Sequence, residues 1–142
     1  MRFVDAIGFP LLPLPDAHGR LAWPSAEDSV KQRIRCLLLT KPGELIGQRR
    51  LGTGLAGFIG LPDTLETRRA IHDRITDQLA RYEPRIGIDR VEVFGRDSVG
   101  ESDAAPVATV PGRLRIEIHY RLRRTGQAAS VGLTLDLLAM GT

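Results

Sequence analysis

Only one cysteine, Cys36, occurs among the 142 residues, so no internal disulfide framework can hold the chain. It falls in an apolar helical run and reads as an inert buried thiol. Aromatic residues make up just 5%, which leaves branched aliphatics to fill the core. No apolar run approaches the roughly 20 residues of a membrane span. A signal-peptide pattern is also missing, because Met1-Arg2 is soon followed by Asp5. The expected location is therefore cytoplasmic. A block of one charge sign is absent too. The net charge is +3 and the sequence pI is near 9.6, but the excess is spread along the chain. A nucleic-acid binder concentrates Lys and Arg on one face. Here Arg49-Arg50 and Arg123-Arg124 are the only dense spots outside the expected helices.

What is present fits one globular domain over residues 1–142, with 42% hydrophobic and 26% charged residues. Residues 1–24 read as an extended arm, since four of the nine prolines fall between Ile7 and Pro24. Asp16-Ala17-His18-Gly19 is the expected turn tip. Phe9, Leu11, Leu12, Leu14, Leu21 and Trp23 are too apolar for a free linker, so the arm should lie against the domain or a neighbour. Ser25 is a good N-cap, and Val30, Ile34, Leu37 and Leu38 recur at helical spacing. A helix is predicted over 26–39, stopped by Pro42-Gly43. Asp63 or Thr64 caps a second helix, whose buried stripe is Ile71, Ile75, Leu79 and Tyr82. Arg68, Arg69, Asp73, Arg74 and Asp77 read as its solvated face.

Strand signals follow. Ile86 and Ile88 alternate, then Val91 and Val93 alternate in the opposite phase. A bulge near Asp89-Arg90 would reconcile them. After a polar loop from Gly95 to Gly112, residues 113–123 alternate cleanly. Leu114, Ile116, Ile118, Tyr120 and Leu122 face one way, and Arg113, Arg115, Glu117, His119, Arg121 and Arg123 the other. That is a half-buried antiparallel strand. Val131, Leu133, Leu135 and Leu137 mark a last strand, ending near Met140. Helices before strands predict an α+β fold: two main helices on one face of a small antiparallel sheet, with an extended N-terminal arm.

Signals for chemistry are weak. Gly52-Thr53-Gly54-Leu55-Ala56-Gly57 matches G-x-G-x-x-G, but it lacks the preceding strand and the following long helix of a dinucleotide site. No cofactor is expected, and the glycines read as a tightly turning loop. His18, His72 and His119 show no paired ligand spacing, so no metal site is expected. Glu44, Glu83 and Glu92 are the candidate acids for a glycosidase, with no pattern that sets two of them across a cleft.

Tyr82-Glu83-Pro84-Arg85-Ile86 is the most distinctive segment. Pro84 cannot continue a helix, and it pushes Glu83 toward an extended conformation. Glu83 and Arg85 should then project to one side as an acid–base fork. The fork has two possible uses: closing the second helix or gripping a partner.

Gly8-Phe9-Pro10-Leu11, then Leu38-Leu39-Thr40-Lys41-Pro42-Gly43-Glu44, then Tyr82-Glu83-Pro84-Arg85-Ile86 resemble, in order, the gene-25-like baseplate wedge proteins of contractile phage tails, a family that includes a type VI secretion component. The pattern departs at Leu45, Arg50 and Leu51. The resemblance implies a structural, non-enzymatic baseplate part, present in multiple copies around the inner tube. Such a part joins the wedge to the first sheath ring. It implies baseplate wedge proteins and sheath subunits as partners, with inner tube or hub proteins as further candidates. It also implies residence in the baseplate after assembly in the cytoplasm, with no nucleic acid and no membrane span. Wedge docking would fall to Glu83, Pro84 and Arg85. Val131, Leu133, Leu135 and Leu137 are the candidates for strand addition by the sheath. A cell-wall glycosidase and a basic nucleic-acid module remain the alternatives.

Overall fold

The computed structural model of the protein describes residues 14–22, 25–95 and 112–138. The expected strand end near Met140, most of the 95–112 loop, and Phe9, Leu11, Leu12 and Trp23 of the arm lie outside these residues. Within the arm, β1 (Leu14–Pro15) and β2 (Leu21–Ala22) pair antiparallel. Asp16 makes the turn between them. Its carboxylate accepts the His18 and Arg20 N–H groups, each at 2.8 Å. An aspartate bonding its own backbone downstream is what makes such a tip compact.

Helix α1 (Ala26–Leu39) starts where Ser25 Oγ accepts the Asp28 N–H. It buries Val30, Ile34, Leu37 and Leu38. Helix α2 (Leu65–Tyr82) is capped by Thr64, whose hydroxyl accepts the Thr67 N–H at 3.2 Å. Asp63 does not cap. It grips Arg68 through two short bonds, 2.6 and 2.9 Å, with both side chains only 16% exposed. Arg68 therefore leaves the expected solvated face, and its guanidinium lies so close to Gly95 that a Cβ there would overlap it. Arg74 stays exposed on that face, as expected, with its guanidinium 5.9 Å over the Phe58 ring. Ile71, Ile75 and Leu79 are fully buried, while Tyr82 is partly covered. Cys36 is half-buried rather than buried, and its sulfur lies 3.7 Å from the Thr40 hydroxyl.

Strands β3 (Ile86–Phe94), β4 (Arg113–Leu122) and β5 (Ala128–Asp136) form one antiparallel sheet in the order β3-β4-β5. The predicted bulge is present, because the β3–β4 register shifts between Ile88 and Arg90. It leaves Asp89 unpaired and lets Val91 return to the core face. Leu114, Ile116, Ile118, Tyr120 and Leu122 are buried beneath the helices. Arg113, Arg115, Glu117, His119 and Arg121 line the outer face. The observed architecture is α+β, as expected.

The glycine-rich motif has a structural task. Its one regular turn is a short 3-10 helix, Leu55–Phe58. Ahead of it, Gly52-Thr53-Gly54 seats against the end of α1. The Thr53 N–H donates to the Leu37 carbonyl, the Thr53 hydroxyl to Leu38, and the Gly54 N–H to Thr40. These are the carbonyls that a helix end leaves without an intrahelical partner. Gly52 has φ 114°, and a Cβ there would overlap the Thr40 carbonyl. Glycine is thus required by backbone approach, not by a phosphate. Gln78 of α2 secures the loop by accepting the Gly52 N–H at 2.9 Å.

Candidate functional site: the Glu-Pro-Arg corner and the open sheet edge

Helix α2 ends at Glu83. Its N–H donates to the Leu79 carbonyl, and Pro84 forbids a further turn. Arg85 then folds back. Its Nε and Nη2 donate to the two oxygens of Glu83 at 2.8 and 2.7 Å, and its backbone N–H adds a third bond at 3.2 Å. A two-pronged guanidinium–carboxylate pair is the strong form of this contact. The fork expected from the sequence therefore exists, but it is turned inward. Glu83 is 2% exposed and Arg85 25%. Arg85 Nη1 reaches the hydroxyl of Ser29, a fully buried residue on α1, at 3.1 Å. Pro84 is exposed on the outside of the corner.

The corner ties three elements together. The Arg85 carbonyl accepts the Arg123 N–H just past β4, and Arg123 Nε donates to the Ile86 carbonyl. Gln127, in the β4–β5 turn, donates to Glu27 of α1 at 3.3 Å. Beneath lies Tyr120, fully buried, with a hydroxyl that has no hydrogen-bond partner among the described residues. Burial above all, with help from the charges of Glu27 and Glu83, pushes its phenol up to about 12. Glu83 thus serves as a structural carboxylate. Sequence reasoning located the corner but missed Ser29, Glu27, Tyr120 and Gln127, since nothing local in the sequence says that α1 packs on it.

At the other candidate region, Val131 is 5% exposed and Leu137 1%. Leu133 and Leu135 are only partly buried. Their cross-strand partners are Ile118, Ile116 and Leu114 for Val131, Leu133 and Leu135. These three share the core face, while Leu137 lies past the strand end, its N–H donating to the Gly112 carbonyl at 2.6 Å. β5 is an edge strand, and no described residue pairs with its outer side. The fold thus brings together Glu83, Pro84 and Arg85 at one site, and Val131, Leu133, Leu135 and Leu137 along a separate edge.

The remaining candidates are engaged locally. Glu44 accepts the Lys41 N–H at 2.9 Å, and Glu92 lies 3.3 Å from Arg90. Of the outer-face arginines, Arg113 meets Asp136, Arg115 meets Glu117, and Arg121 meets Asp89. One group was missed outright. Glu92, Glu117 and His119 converge on the outer face, although the histidines had shown no ligand spacing. The missed signal was Glu117-x-His119 on a strand, a spacing that puts both side chains on one face. No helix of the described residues is long and apolar enough to cross a membrane.

No curated protein matches the chain significantly. Among solved structures, a Geobacter sulfurreducens protein described as a tail lysozyme is 24% identical, with a TM-score of 0.67, and the match covers 86% of this chain and 100% of that one. At that identity it speaks for the fold alone. A chain of the baseplate of the anti-feeding prophage is 26% identical, with a TM-score of 0.58, covering 78% of this chain and 79% of its own. The family model for baseplate wedge protein gp25 matches residues 24–127. That span holds both helices, β3, β4 and the Glu-Pro-Arg corner, so the chain belongs to the gp25 baseplate wedge family.

Proposed function

We propose that this protein is a two-sided adaptor that joins the wedge to the first sheath ring. Its membership makes it a structural baseplate component of a contractile injection system. The observation that carries the adaptor reading is the outer edge of β5, which no described residue pairs with and which bears no charge before its last residue, Asp136. An unguarded edge is a template for a strand from another chain. Backbone hydrogen bonds supply affinity there, and the alternating Val131, Leu133 and Leu135 supply register. Leu137, just beyond the strand, would mark the end of the added strand.

The wedge side falls to the Glu83-Pro84-Arg85 corner. Because Glu83 is spent on Arg85, the surface offered to a partner is the Pro84 ring and the exposed quarter of Arg85. Glu83 fixes the arginine's plane. Wedge proteins and sheath subunits are the partners, with tube or hub proteins beyond them, and the protein is built into the particle after synthesis in the cytoplasm. The reading is of a non-enzymatic part. Glu44, Glu83 and Glu92, the acids considered for hydrolysis, each hold a backbone amide or an arginine of this same chain.

The test is co-purification of the full chain with tube, sheath and wedge proteins, comparing wild type with Pro84→Ala and Arg85→Ala at matched amounts of folded protein. Wedge association should fall in both variants while sheath association persists in isolated complexes. Unchanged wedge association would leave the corner as a helix closure only.

A further inference from the structure

On the outer face of the sheet, Glu92 of β3 stands directly opposite Glu117 of β4. Two like charges in that position repel and destabilise a sheet. His119, two residues along β4, leans between them. Its Nε2 is 3.4 Å from a Glu92 oxygen and 3.7 Å from a Glu117 oxygen. That nitrogen is shut off from solvent and has no hydrogen-bond partner among the described residues. One donor atom from each of the three side chains lies within 4.8 Å of the others.

We propose that Glu92, Glu117 and His119 form a binding site for a zinc-class divalent cation. The distances carry the assignment. Nitrogen and carboxylate ligands sit about 2.0–2.2 Å from zinc, so two corners of its tetrahedron stand about 3.4 Å apart. The separations of 3.4 and 3.7 Å around His119 already have that size. Two ligands two apart on one strand, with the third on its neighbour, point into the same volume because a strand alternates its faces. The donor set, one imidazole and two carboxylates, suits zinc and leaves a fourth position open on the outer face. A divalent ion would cancel the two carboxylate charges. It would also occupy the lone pair of Nε2, which nothing in the described protein otherwise uses.

The neighbouring arginines are compatible with this. Arg115 holds the other oxygen of Glu117 and so orients the one turned to the site. Arg90 lies 3.3 Å from the same Glu92 oxygen that faces His119 and has to leave it as the ion enters, which its 64% exposed side chain permits. The consequence is a pin between β3 and β4 on the face opposite the helices.

The experiment is calorimetric titration of the untagged full chain with zinc chloride, with thermal unfolding followed in parallel. One equivalent should bind in the micromolar range, and excess zinc should raise Tm by about 5 °C or more. His119→Ala and Glu117→Gln should each weaken binding at least about tenfold, while His72→Ala should leave it unchanged. Glu92→Gln and Glu117→Gln preserve side-chain shape, so they decide the matter if His119→Ala folds poorly. No binding up to about millimolar zinc would overturn the site, as would full affinity in both glutamine variants. Loss of binding in His72→Ala would place the metal elsewhere and overturn it too.

Discussion

The two edges of this three-stranded sheet are built to opposite specifications. β3 carries Asp89, Arg90 and Glu92 in its middle, and the bulge at Asp89 breaks its ladder. Charges and bulges on an edge are the usual defences against pairing with another chain. β5 reads Ala-Ala-Ser-Val-Gly-Leu-Thr-Leu-Asp, with no charge until its end and an unbroken register against β4. Its core-facing Leu133 and Leu135 are only partly covered. β3 is also the edge lying against α2, and its start is nailed down by the Glu83–Arg85 corner. The difference teaches which edge carries defences against pairing and which, among the described residues, stands open and uncharged.

The largest expected effect comes from giving β5 the defence that β3 already has. Leu133→Lys with Leu135→Lys puts two charges on the inward face of the edge. Sheath association, measured by co-sedimentation with sheath subunits, should be abolished. Equal association in the double variant would break the comparison, because β5 would then not be the accepting edge. Second in size is the corner that anchors β3. Glu83→Ala removes the carboxylate from a nearly buried pair, and unfolding free energy from denaturant melts should drop by about 2–3 kcal/mol. The quarter exposure of Arg85 keeps the loss below that of a fully buried pair, since the orphaned guanidinium can turn to water.

Much of this was legible in the sequence, where the information is local. The ends of α1 are written in Ser25 and in Pro42-Gly43. The bulge is written in the phase change between Ile88 and Val91. The alternation from 113 to 122 declared both its faces. What stayed hidden depends on elements distant in the chain. That Gly52-Thr53-Gly54 would close the end of α1 needs the loop's path, not its composition. That Glu83 would be buried needs α1 to bring Ser29 over the corner. Residues 128–130 lengthen β5 beyond the apolar alternation that marked it, because pairing with Arg121, Tyr120 and His119 extends a strand past its hydrophobic residues. The juxtaposition of Glu92 with Glu117 depends on a register that the bulge itself shifts by one.

A smaller effect distinguishes the centre of the sheet from both edges. Tyr120, on β4, has its phenol raised to about 12, against about 10 in an unfolded chain. The folded state therefore holds that proton more tightly. The resulting stability is fully present below about pH 10 and is lost as pH rises toward 12. Tyr120→Phe should flatten that alkaline loss in pH-dependent melts. At neutral pH it should change stability by under about 1 kcal/mol, because the hydroxyl it removes has no partner among the described residues.

The smallest effect on stability, and the sharpest test of what the β3 charges are for, comes from replacing them. Arg121–Asp89 is an exposed pair at 2.9 Å, with the two side chains 63% and 43% open. Such pairs contribute about 0.2–1 kcal/mol. Asp89→Thr with Arg90→Thr should therefore leave Tm nearly unchanged, while preserving the bulge, which is set by residue count. If those charges guard the edge, the variant should instead self-associate. Light scattering at low salt should then show a concentration-dependent mass that wild type does not show. A variant that stays as monodisperse as wild type would assign the guarding of β3 to the bulge alone. The asymmetry between the edges would then rest on backbone geometry rather than on charge.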